Sequence, residues 1–383
     1  MNRYILVIAI FLLSSTLLGN NRPEISLLTC SGGDELYSKF GHSALRVHYL
    51  ESGNDVVFNF GVFDFNTPNF YVKFIRGKLK YKLDIQQTRD FIAQYEWEGR
   101  VVFEQKLNLT ERQIDDILAR LEYLYKPENR YYYYSFLYKN CTSELRDLVL
   151  EYVDIPDSFL SRKTGETNRE LLNKYTDGWS KFGINLLLGS SLERDIDVFQ
   201  RMFLPENLME EFCKMEYSGE SLVREEVVMV DRGWIGGGEG GEKEASIGNI
   251  LSPVAVSVVL LVIAVCSSFR KKIYLATGRV FFTLFGFIGL FLVVVTSITE
   301  HIELYWNYNM LWCNPLFLIP ALFTKSNMPR LYGISVLLLL ISLIVITLIW
   351  TIGLQYAETG FIIIVLALVW LLSFTRIHSK FLQ

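Results

Sequence analysis

The sequence predicts an α+β outer domain, an antiparallel sheet with helices, joined to an α-helical domain that crosses a membrane several times. Residues 20–232 contain short strand-like and helix-like segments with mixed charge, whereas residues 249–383 contain long uncharged apolar segments. The 383 residues are 51% hydrophobic and carry a net charge of −4. Without a basic domain or a Lys/Arg stripe, the sequence excludes nucleic acid as a partner.

Residues 1–19 have the layout of a secretory signal, with Arg3, an uncharged apolar stretch and then small residues. This pattern predicts export of the chain that follows. The segment is either cleaved as a signal peptide or retained as an N-terminal anchor. In both cases residues 20–232 are expected on the outer side of the membrane.

A glycine-rich, charged linker at residues 233–248 separates the two domains. Five apolar segments follow, and we interpret them as spans because about 20 apolar residues cross a bilayer. They comprise residues 250–269, 280–298, 310–323, 331–354 and 361–375. The third is short, and it is either a span or a re-entrant segment.

Basic residues predict the orientation of these spans. Lys and Arg residues follow the first, third and fifth segments, whereas the opposite ends carry Glu300, Glu303 and Glu358 without Lys or Arg. The basic ends are expected in the cytoplasm. This orientation again places residues 20–232 outside, as the signal segment does.

The outer domain alternates strands and helices. Residues 43–50 and 55–63 are β-rich runs around the turn ESGN and predict a hairpin. Residues 80–87 and 100–109 resemble further strands. Thr110 is expected to start a helix, with Gln113 completing a capping box.

Cys141 is the candidate nucleophile of this domain. It follows an aromatic run, and apolar residues recur after it at helical spacing until Pro156. The start of a helix favours a thiolate, because the unpaired amides and the helix dipole stabilise negative charge.

A nucleophilic cysteine needs a base, and the outer domain contains two histidines, His42 and His48. They lie on the same face of the first hairpin strand, about 20 Å apart at about 3.3 Å per residue, so one of them serves the sulfur. His42 is the better candidate because it lies at the open end of the strand, beside Gly41. His48 is expected on the hairpin surface.

Asn59 is an uncharged polar residue inside the apolar partner strand. One interpretation makes it the third group of a triad, which holds the imidazole of His42 in one tautomer. The other is a structural hydrogen bond at a bulge beside Gly61.

The outer domain has three cysteines, an odd number for an oxidising compartment. A bridge between Cys30 and Cys213 leaves Cys141 free. A bridge between Cys30 and Cys141 makes Cys141 structural, and the protein is then a non-catalytic assembly factor. No CxxC, HExxH or dense Cys/His cluster occurs, so no metal site is predicted.

The motifs GHSALRV and NCTSEL, in this order, resemble the circularly permuted papain-like fold of the lecithin:retinol acyltransferase type. That resemblance implies that His42 is the base, Cys141 the nucleophile and Asn59 the orienting residue. A longer resemblance, to the Lnb family of bacterial lipoprotein N-acyltransferases, rests on five segments. They are LLTCSGGDELYSKFGHSALRV, VFNFGVFDF, KNCTSELR, WSKFGINLLLG and HIELYWNYNMLWCNPL.

The resemblance to the Lnb family implies transfer of a fatty acyl chain from a phospholipid, through a thioester on Cys141, to a diacylated lipoprotein. The acceptor group is the α-amine of the lipoprotein's N-terminal diacylglyceryl-cysteine. The resemblance implies no cofactor, and it implies a multi-pass protein of the bacterial inner membrane with its catalytic domain in the periplasm. The alternative is an exported thiol peptidase or amidase acting on cell-wall peptides, although a soluble substrate needs no membrane domain.

Polar residues follow the second predicted span. His301 ends that span, and Asn307 and Asn309 lie in the aromatic segment that follows. Polar groups at this depth often mark function, so all three are predicted to bind substrate. Alternatively, His301 is an interfacial residue of the Trp/Tyr belt.

Overall fold

The computed structural model describes residues 22–35, 37–231, 251–323 and 327–377. The predicted signal segment and linker lie outside these residues. The chain divides into two units. Unit 1 comprises Met1–Phe70, Leu79–Thr164 and Ile196–Glu239, and unit 2 comprises Tyr71–Lys78, Gly165–Asp195 and Gly240–Gln383. Two stretches of the predicted outer domain therefore belong to unit 2.

Eleven strands occur in the described part of the chain. They are β1 (Glu24–Cys30), β2 (His42–Tyr49), β3 (Asn54–Val62), β4 (Lys80–Gln87), β5 (Val102–Leu107), β6 (Tyr131–Tyr133), β7 (Lys163–Thr167), β8 (Asp195–Asp197), β9 (Glu216–Tyr217), β10 (Glu220–Ser221) and β11 (Val223–Val230). Seven form one antiparallel sheet in the order β11-β5-β1-β2-β3-β4-β6. The predicted hairpin is confirmed as β2–β3, with Leu45 opposite Phe58.

Nine helices precede the apolar region in the described residues. They are α1 (Phe70–Ile75), α2 (Thr88–Glu98), α3 (Glu111–Tyr125), α4 (Cys141–Leu150), α5 (Asp157–Leu160), α6 (Asn168–Lys174), α7 (Gly178–Leu187), α8 (Val198–Arg201) and α9 (Pro205–Lys214). The predicted capping box of α3 is confirmed, because the side chains of Thr110 and Gln113 each bond the other's backbone amide.

Apolar side chains cover both faces of the large sheet, because successive side chains of a strand point to opposite faces. On one face Leu27, Leu45 and Phe58 pack in a cluster with side chains of α3, α4 and α9. On the other face Leu28 and Ala44 pack in a cluster with side chains of α2. The sheet is thus a buried layer between helices, and the start of α4 is held against its centre.

Unit 2 contains five further helices in the described residues, namely α10 (Pro253–Ser267), α11 (Lys271–Ile298), α12 (Leu318–Leu322), α13 (Pro329–Thr351) and α14 (Thr359–Ile377). By length and composition, α11 and α13 are able to cross a membrane, and α10 and α14 are shorter apolar helices. The C-terminal region is therefore helical and apolar, as predicted.

The third predicted span, residues 310–323, is not a single helix. It consists of two 3₁₀ turns, Tyr308–Leu311 and Pro315–Phe317, followed by the five-residue α12. Such a helix rises only about 7.5 Å, far less than the roughly 30 Å core of a bilayer. Part of the segment is nevertheless buried, since Trp312 is only 1% exposed and Cys313 and Phe317 are fully buried.

Two features of unit 2 accommodate this broken segment. A Cβ atom on Gly289 of α11 would lie 2.3 Å from the carbonyl oxygen of Cys313, so only glycine permits this close approach. Asparagine side chains replace the missing helical hydrogen bonds: Asn307 Oδ1 accepts from the amide of Asn309 at 3.0 Å, and Asn314 Oδ1 accepts from the amide of Leu316 at 2.9 Å. Irregular backbone is tolerated at membrane depth when protein groups satisfy it in this way.

Candidate active site

Asn140 determines how α4 begins and therefore where Cys141 lies. Its side-chain oxygen accepts from the amides of Thr142 at 2.8 Å and Ser143 at 2.9 Å. Its side-chain nitrogen donates to the carbonyl oxygen of Phe203 at 3.1 Å, which ties this cap to the loop before α9. Cys141 is thus the first residue of a capped helix, as the sequence predicted, with a partly buried side chain.

His42 and Asn59 meet across the β2–β3 hairpin. His42 Nε2 lies 3.0 Å from Asn59 Oδ1, which also accepts from the amide of Gly61 at 2.8 Å. Because the Gly61 amide is a donor, it identifies the Asn59 atom as the oxygen, and His42 Nε2 must then donate its hydrogen. In the neutral imidazole, Nδ1 is left with a lone pair, which is the form that accepts a proton.

Gly61 makes this geometry possible. Continuing the register of the hairpin brings Gly61 opposite His42, and a Cβ atom on Gly61 would lie 2.5 Å from His42 Cε1. The β3–β4 pairing is irregular between Asn59 and Val62, so the strand bends at this point. The bend in β3, the absence of a side chain at Gly61 and the hydrogen bond from His42 to Asn59 therefore all determine where the His42 imidazole lies.

The electrostatics of Cys141 favour the thiolate. Burial by itself raises the pKa of this thiol, but the charge of His42 and hydrogen bonds from His42, the Ser43 amide and the Thr142 hydroxyl lower it to about 7. Sγ lies 3.8 Å from Thr142 Oγ1, and that hydroxyl lies 3.1 Å from Ser43 Oγ. Ser43, which follows His42, and Thr142, which follows Cys141, thus connect the histidine and cysteine motifs through one hydrogen bond.

The structure brings together Cys141, His42 and Asn59, and it separates His48 from them. His48 lies opposite Asp55 on β3, where Arg46 binds Asp55 at 2.6 Å. It therefore belongs to an ion-pair cluster at the other end of β2.

The other two cysteines of unit 1 differ from Cys141 in their chemistry. Cys30, Cys141 and Cys213 are all free, so neither predicted bridge is present. Burial raises the pKa of Cys30 to about 12, and burial with the adjacent Glu226 raises that of Cys213 to about 11. Of these three thiols, Cys141 is the one whose pKa lies near neutral pH.

The predicted substrate-binding residues His301, Asn307 and Asn309 lie in unit 2. The side-chain nitrogen of Asn307 donates to the carbonyl oxygens of Leu186 and Leu187, at 2.8 and 2.9 Å. That of Asn309 donates to residues 185 and 186, and its Oδ1 accepts from the Trp312 indole at 2.9 Å. These contacts favour structural roles for both asparagines, and their contact with substrate stays a prediction.

His301 has a different set of contacts from these two asparagines. Its Nε2 donates to the carbonyl oxygen of Phe74 at 2.8 Å, and its Nδ1 lies 3.7 Å from the buried carboxylate of Glu303. Burial by itself lowers the pKa of His301, but Glu303 and the Phe74 carbonyl raise it above its ordinary value. Its imidazolium form is therefore stabilised in place.

Sequence reasoning missed Ser43 and Thr142, and it named Gly61 only as the residue beside a bulge and not as the position facing His42. Each of these residues lies one or two positions from a residue that the sequence did identify. Their closeness to His42, Asn59 or Cys141 in the sequence could therefore have suggested them. In the described part of the chain no group of three His, Cys, Asp or Glu side chains is placed to hold a metal ion. The arrangement supports thiolate chemistry with an adjacent proton acceptor.

Comparison with known protein families identifies both regions. Residues 18–171 match the Lnb N-terminal periplasmic domain, and residues 243–380 match the Lnb transmembrane domain. No curated protein and no solved structure gives a significant match. The chain is thus a membrane protein with a periplasmic domain. Since the two matches span most of its length, it belongs to the Lnb family.

Proposed function

We propose that this protein is a lipoprotein N-acyltransferase, which moves a fatty acyl chain from a phospholipid to the α-amine of a lipoprotein's diacylglyceryl-cysteine. The observation that carries the proposal is the contact of Cys141, whose thiol has a pKa of about 7, with an imidazole oriented by Asn59. The membrane domain supports lipid substrates, because both the donor and the acceptor reside in a bilayer.

The order of these residues supports a permuted papain-like fold for unit 1. The histidine lies on β2, its asparagine on the next strand, and the cysteine follows at the start of α4. A helix that presents a cysteine to a histidine on an antiparallel sheet is the arrangement of that fold. Because the fold also hosts peptidases, it supports the chemistry of the site and leaves the substrate to other observations.

In the first half-reaction, His42 Nδ1 takes the proton of the Cys141 thiol, and the thiolate attacks the ester carbonyl of the phospholipid. The carbon–sulfur bond forms and the carbon–oxygen bond of the ester breaks. His42 returns the proton to the departing alkoxide. The products are a thioester on Cys141 and a lysophospholipid.

In the second half-reaction, the acceptor amine attacks the thioester, and His42 takes a proton from the incoming nitrogen. The carbon–nitrogen bond forms, the carbon–sulfur bond breaks, and the thiol of Cys141 is restored. In both steps the negative oxygen needs donors. The amide of Cys141 is suited to this role, because Asn140 caps the next two amides of α4 and leaves the first.

Contacts within unit 2 support an inner-membrane topology with five crossings. Residues 71–78 fall within the matched periplasmic domain, and the carbonyl oxygen of Ile75 accepts from Thr299 Oγ1 at 2.7 Å at the end of α11. Helix α7, which belongs to the outer domain predicted from the sequence, donates from Trp179 to the Leu251 carbonyl, before α10, and from Asn185 to Glu358, before α14. These ends of α10, α11 and α14 then face the periplasm.

With those ends in the periplasm, α11 must run outward and α13 must also run outward to reach residue 358. The chain between them therefore has to return across the membrane, through the broken segment 308–322. This topology agrees with the positions of the basic residues in the sequence. Reporter fusions after Ser246 and Gln355 should then report the periplasm, and fusions after Lys272, Lys325 and Gln383 the cytoplasm. A periplasmic signal at Lys325 would make the broken segment re-entrant.

The acyl-enzyme tests the proposed reaction directly. Incubation of the purified protein with phospholipid alone should add one fatty acyl mass at Cys141, because the first half-reaction needs no acceptor. Neutral hydroxylamine should release it, and the Cys141→Ala protein should lack it. Intact-protein and peptide mass spectrometry measure both.

The acceptor distinguishes the proposal from its alternative, an exported thiol peptidase or amidase. A diacylated lipopeptide with a free α-amine should discharge the acyl-enzyme, and the same lipopeptide with a blocked amine should leave it intact. The peptidase hypothesis expects no lipid adduct. Acylation of the lipopeptide by Cys141→Ala protein would contradict the thioester mechanism.

A further inference from the structure

Helix α1 is an apolar helix that buries nothing. None of its six residues is buried, and Tyr71 and Phe74 are 75% and 43% exposed. A helix this short has little stability in water by itself, and contiguous exposed apolar side chains usually mark an interaction surface. The exposed apolar side chains of α1 therefore form a candidate interaction surface.

The segment Tyr71–Lys78 is attached to the end of α11. The amide of Glu300 donates to the Arg76 carbonyl oxygen at 3.1 Å, and the carboxylate of Glu300 binds Lys78 at 2.9 Å. His301 Nε2 donates to the Phe74 carbonyl at 2.8 Å. Such bonds hold α1 beside the end of an apolar helix of 28 residues, and this end is the one that the proposed topology places at the periplasmic surface of the bilayer.

A second exposed aromatic side chain lies on the turn after α11. Trp306 is 73% exposed, although its backbone φ of 56° lies in the left-handed region that a bulky residue rarely adopts. The amide of Ser190 donates to the Trp306 carbonyl oxygen at 3.1 Å, which helps to hold that conformation. Exposed Trp and Tyr at the end of a membrane helix are typical of the interfacial belt.

We propose that Tyr71, Val72, Phe74 and Trp306 form a lipid-contact surface that lies in the headgroup region of the outer leaflet. Lys73 and Arg76 flank its apolar side chains, and their charges suit lipid phosphates. The occupant is the phospholipid bilayer itself, because the surface continues from α11 at its membrane boundary. This surface tethers a periplasmic segment to the membrane, and it does not depend on the proposed acyl transfer.

Photocrosslinking tests this surface in the full-length protein. The photoreactive amino acid p-benzoylphenylalanine replaces Tyr71 or Phe74, and the protein is reconstituted in phosphatidylethanolamine–phosphatidylglycerol vesicles with alkyne-tagged acyl chains. Phe287, exposed on α11, is the positive control, and Tyr123, exposed on α3, is the negative control. Positions 71 and 74 should yield tagged protein as position 287 does, and position 123 should not.

Each other result overturns the proposal. Yields at 71 and 74 equal to that at Tyr123 would mean that water covers the helix. Crosslinks to another protein would mean that a protein partner covers it. In addition, the double substitution Lys73→Glu and Arg76→Glu should lower the crosslinking yield at position 71. An unchanged yield would contradict the proposed contact of Lys73 and Arg76 with lipid phosphates. Cys141→Ala protein should give the same pattern, which separates this test from that of the acyl transfer.

Discussion

Asparagine side chains have different hydrogen-bond partners in the two units. In unit 1, Asn59 accepts from the Gly61 amide and from the His42 imidazole, the base in the proposed reaction. In unit 2, Asn307 and Asn309 bind backbone carbonyls and the Trp312 indole, none of which changes its protonation. Both arrangements satisfy polar groups of the interior. The partner of the amide distinguishes the role proposed for Asn59 from the structural roles of Asn307 and Asn309.

The largest expected effect concerns the pair at the centre of unit 1. Cys141→Ala should abolish lipopeptide acylation, and His42→Ala should lower its rate by about 10²- to 10⁴-fold, the usual contribution of a general base. The amount of protein in the membrane should be unchanged. Mass spectrometry of the acylated lipopeptide measures both rates.

His48→Ala is the matched control for His42→Ala, since both residues lie on β2. It should retain most of the activity, because His48 belongs to the ion-pair cluster around Arg46 and Asp55. An essential His48 with a dispensable His42 would contradict the site described for unit 1.

Gly61→Ala should come next in magnitude. The added Cβ would lie 2.5 Å from His42 Cε1, so the imidazole must move, and a displacement near 1 Å costs about 10²-fold in rate. The acylation rate and the circular dichroism spectrum together separate displacement from unfolding. Gly53→Ala, on the turn of the same hairpin, is a control for loss of stability: its φ of 68° makes alanine strained there, but no atom lies within 4 Å of the new Cβ and His42 is not displaced. Full activity in Gly61→Ala would show that the position of His42 is not critical.

Alkylation of two cysteines should rise with pH, but with widely separated midpoints. Cys141 should react with half its maximal rate near pH 7, because its pKa is lowered to about 7 and the thiolate is lost as the pH falls through that value. The exposed Cys213, with a pKa of about 11, should react roughly tens of fold more slowly at neutral pH. Peptide mapping after brief iodoacetamide treatment measures both.

In His42→Ala protein the midpoint for Cys141 should rise, since the charge of His42 contributes to lowering the pKa. A midpoint that does not move would mean that the start of α4 alone stabilises the thiolate.

The smallest expected effect concerns unit 2. Asn309→Ala removes the partner of the Trp312 indole and of two carbonyl groups, which costs about 1–3 kcal/mol of unfolding free energy. Thermal unfolding in detergent should show the loss, and the pH midpoint of Cys141 should stay at its original value. Loss of acylation without loss of stability would instead support the sequence-based prediction that Asn309 binds substrate.

The sequence was most informative where the interactions are local. Turn residues and alternation predicted the β2–β3 hairpin, and a capping pattern predicted the start of α3. The position of Cys141 at a helix start also follows from adjacent residues. Strand β11 was missed. It pairs with β5, which lies more than 100 residues earlier, and the sequence of neither strand indicates this pairing.

The third membrane segment shows why hydropathy alone was insufficient. Residues 310–323 are apolar enough to be interpreted as a span, but hydropathy does not record where backbone hydrogen bonds go. Asn307, Asn309 and Asn314 were the available sign, since each replaces or redirects backbone bonds. The attachment of residues 71–78 to α11 was equally invisible, because it joins segments more than 200 residues apart.

The broken segment imposes an order on biogenesis. Its asparagines bind carbonyl groups of residues 185–187, which are synthesised first and leave the ribosome well before residue 307. While α11 has been inserted but residue 309 has not yet been synthesised, those carbonyl groups lack the asparagines that bind them. Gly289 likewise lacks the backbone of Cys313, which it contacts in the folded protein. In the assembly of this unit, late sequence therefore docks onto early sequence.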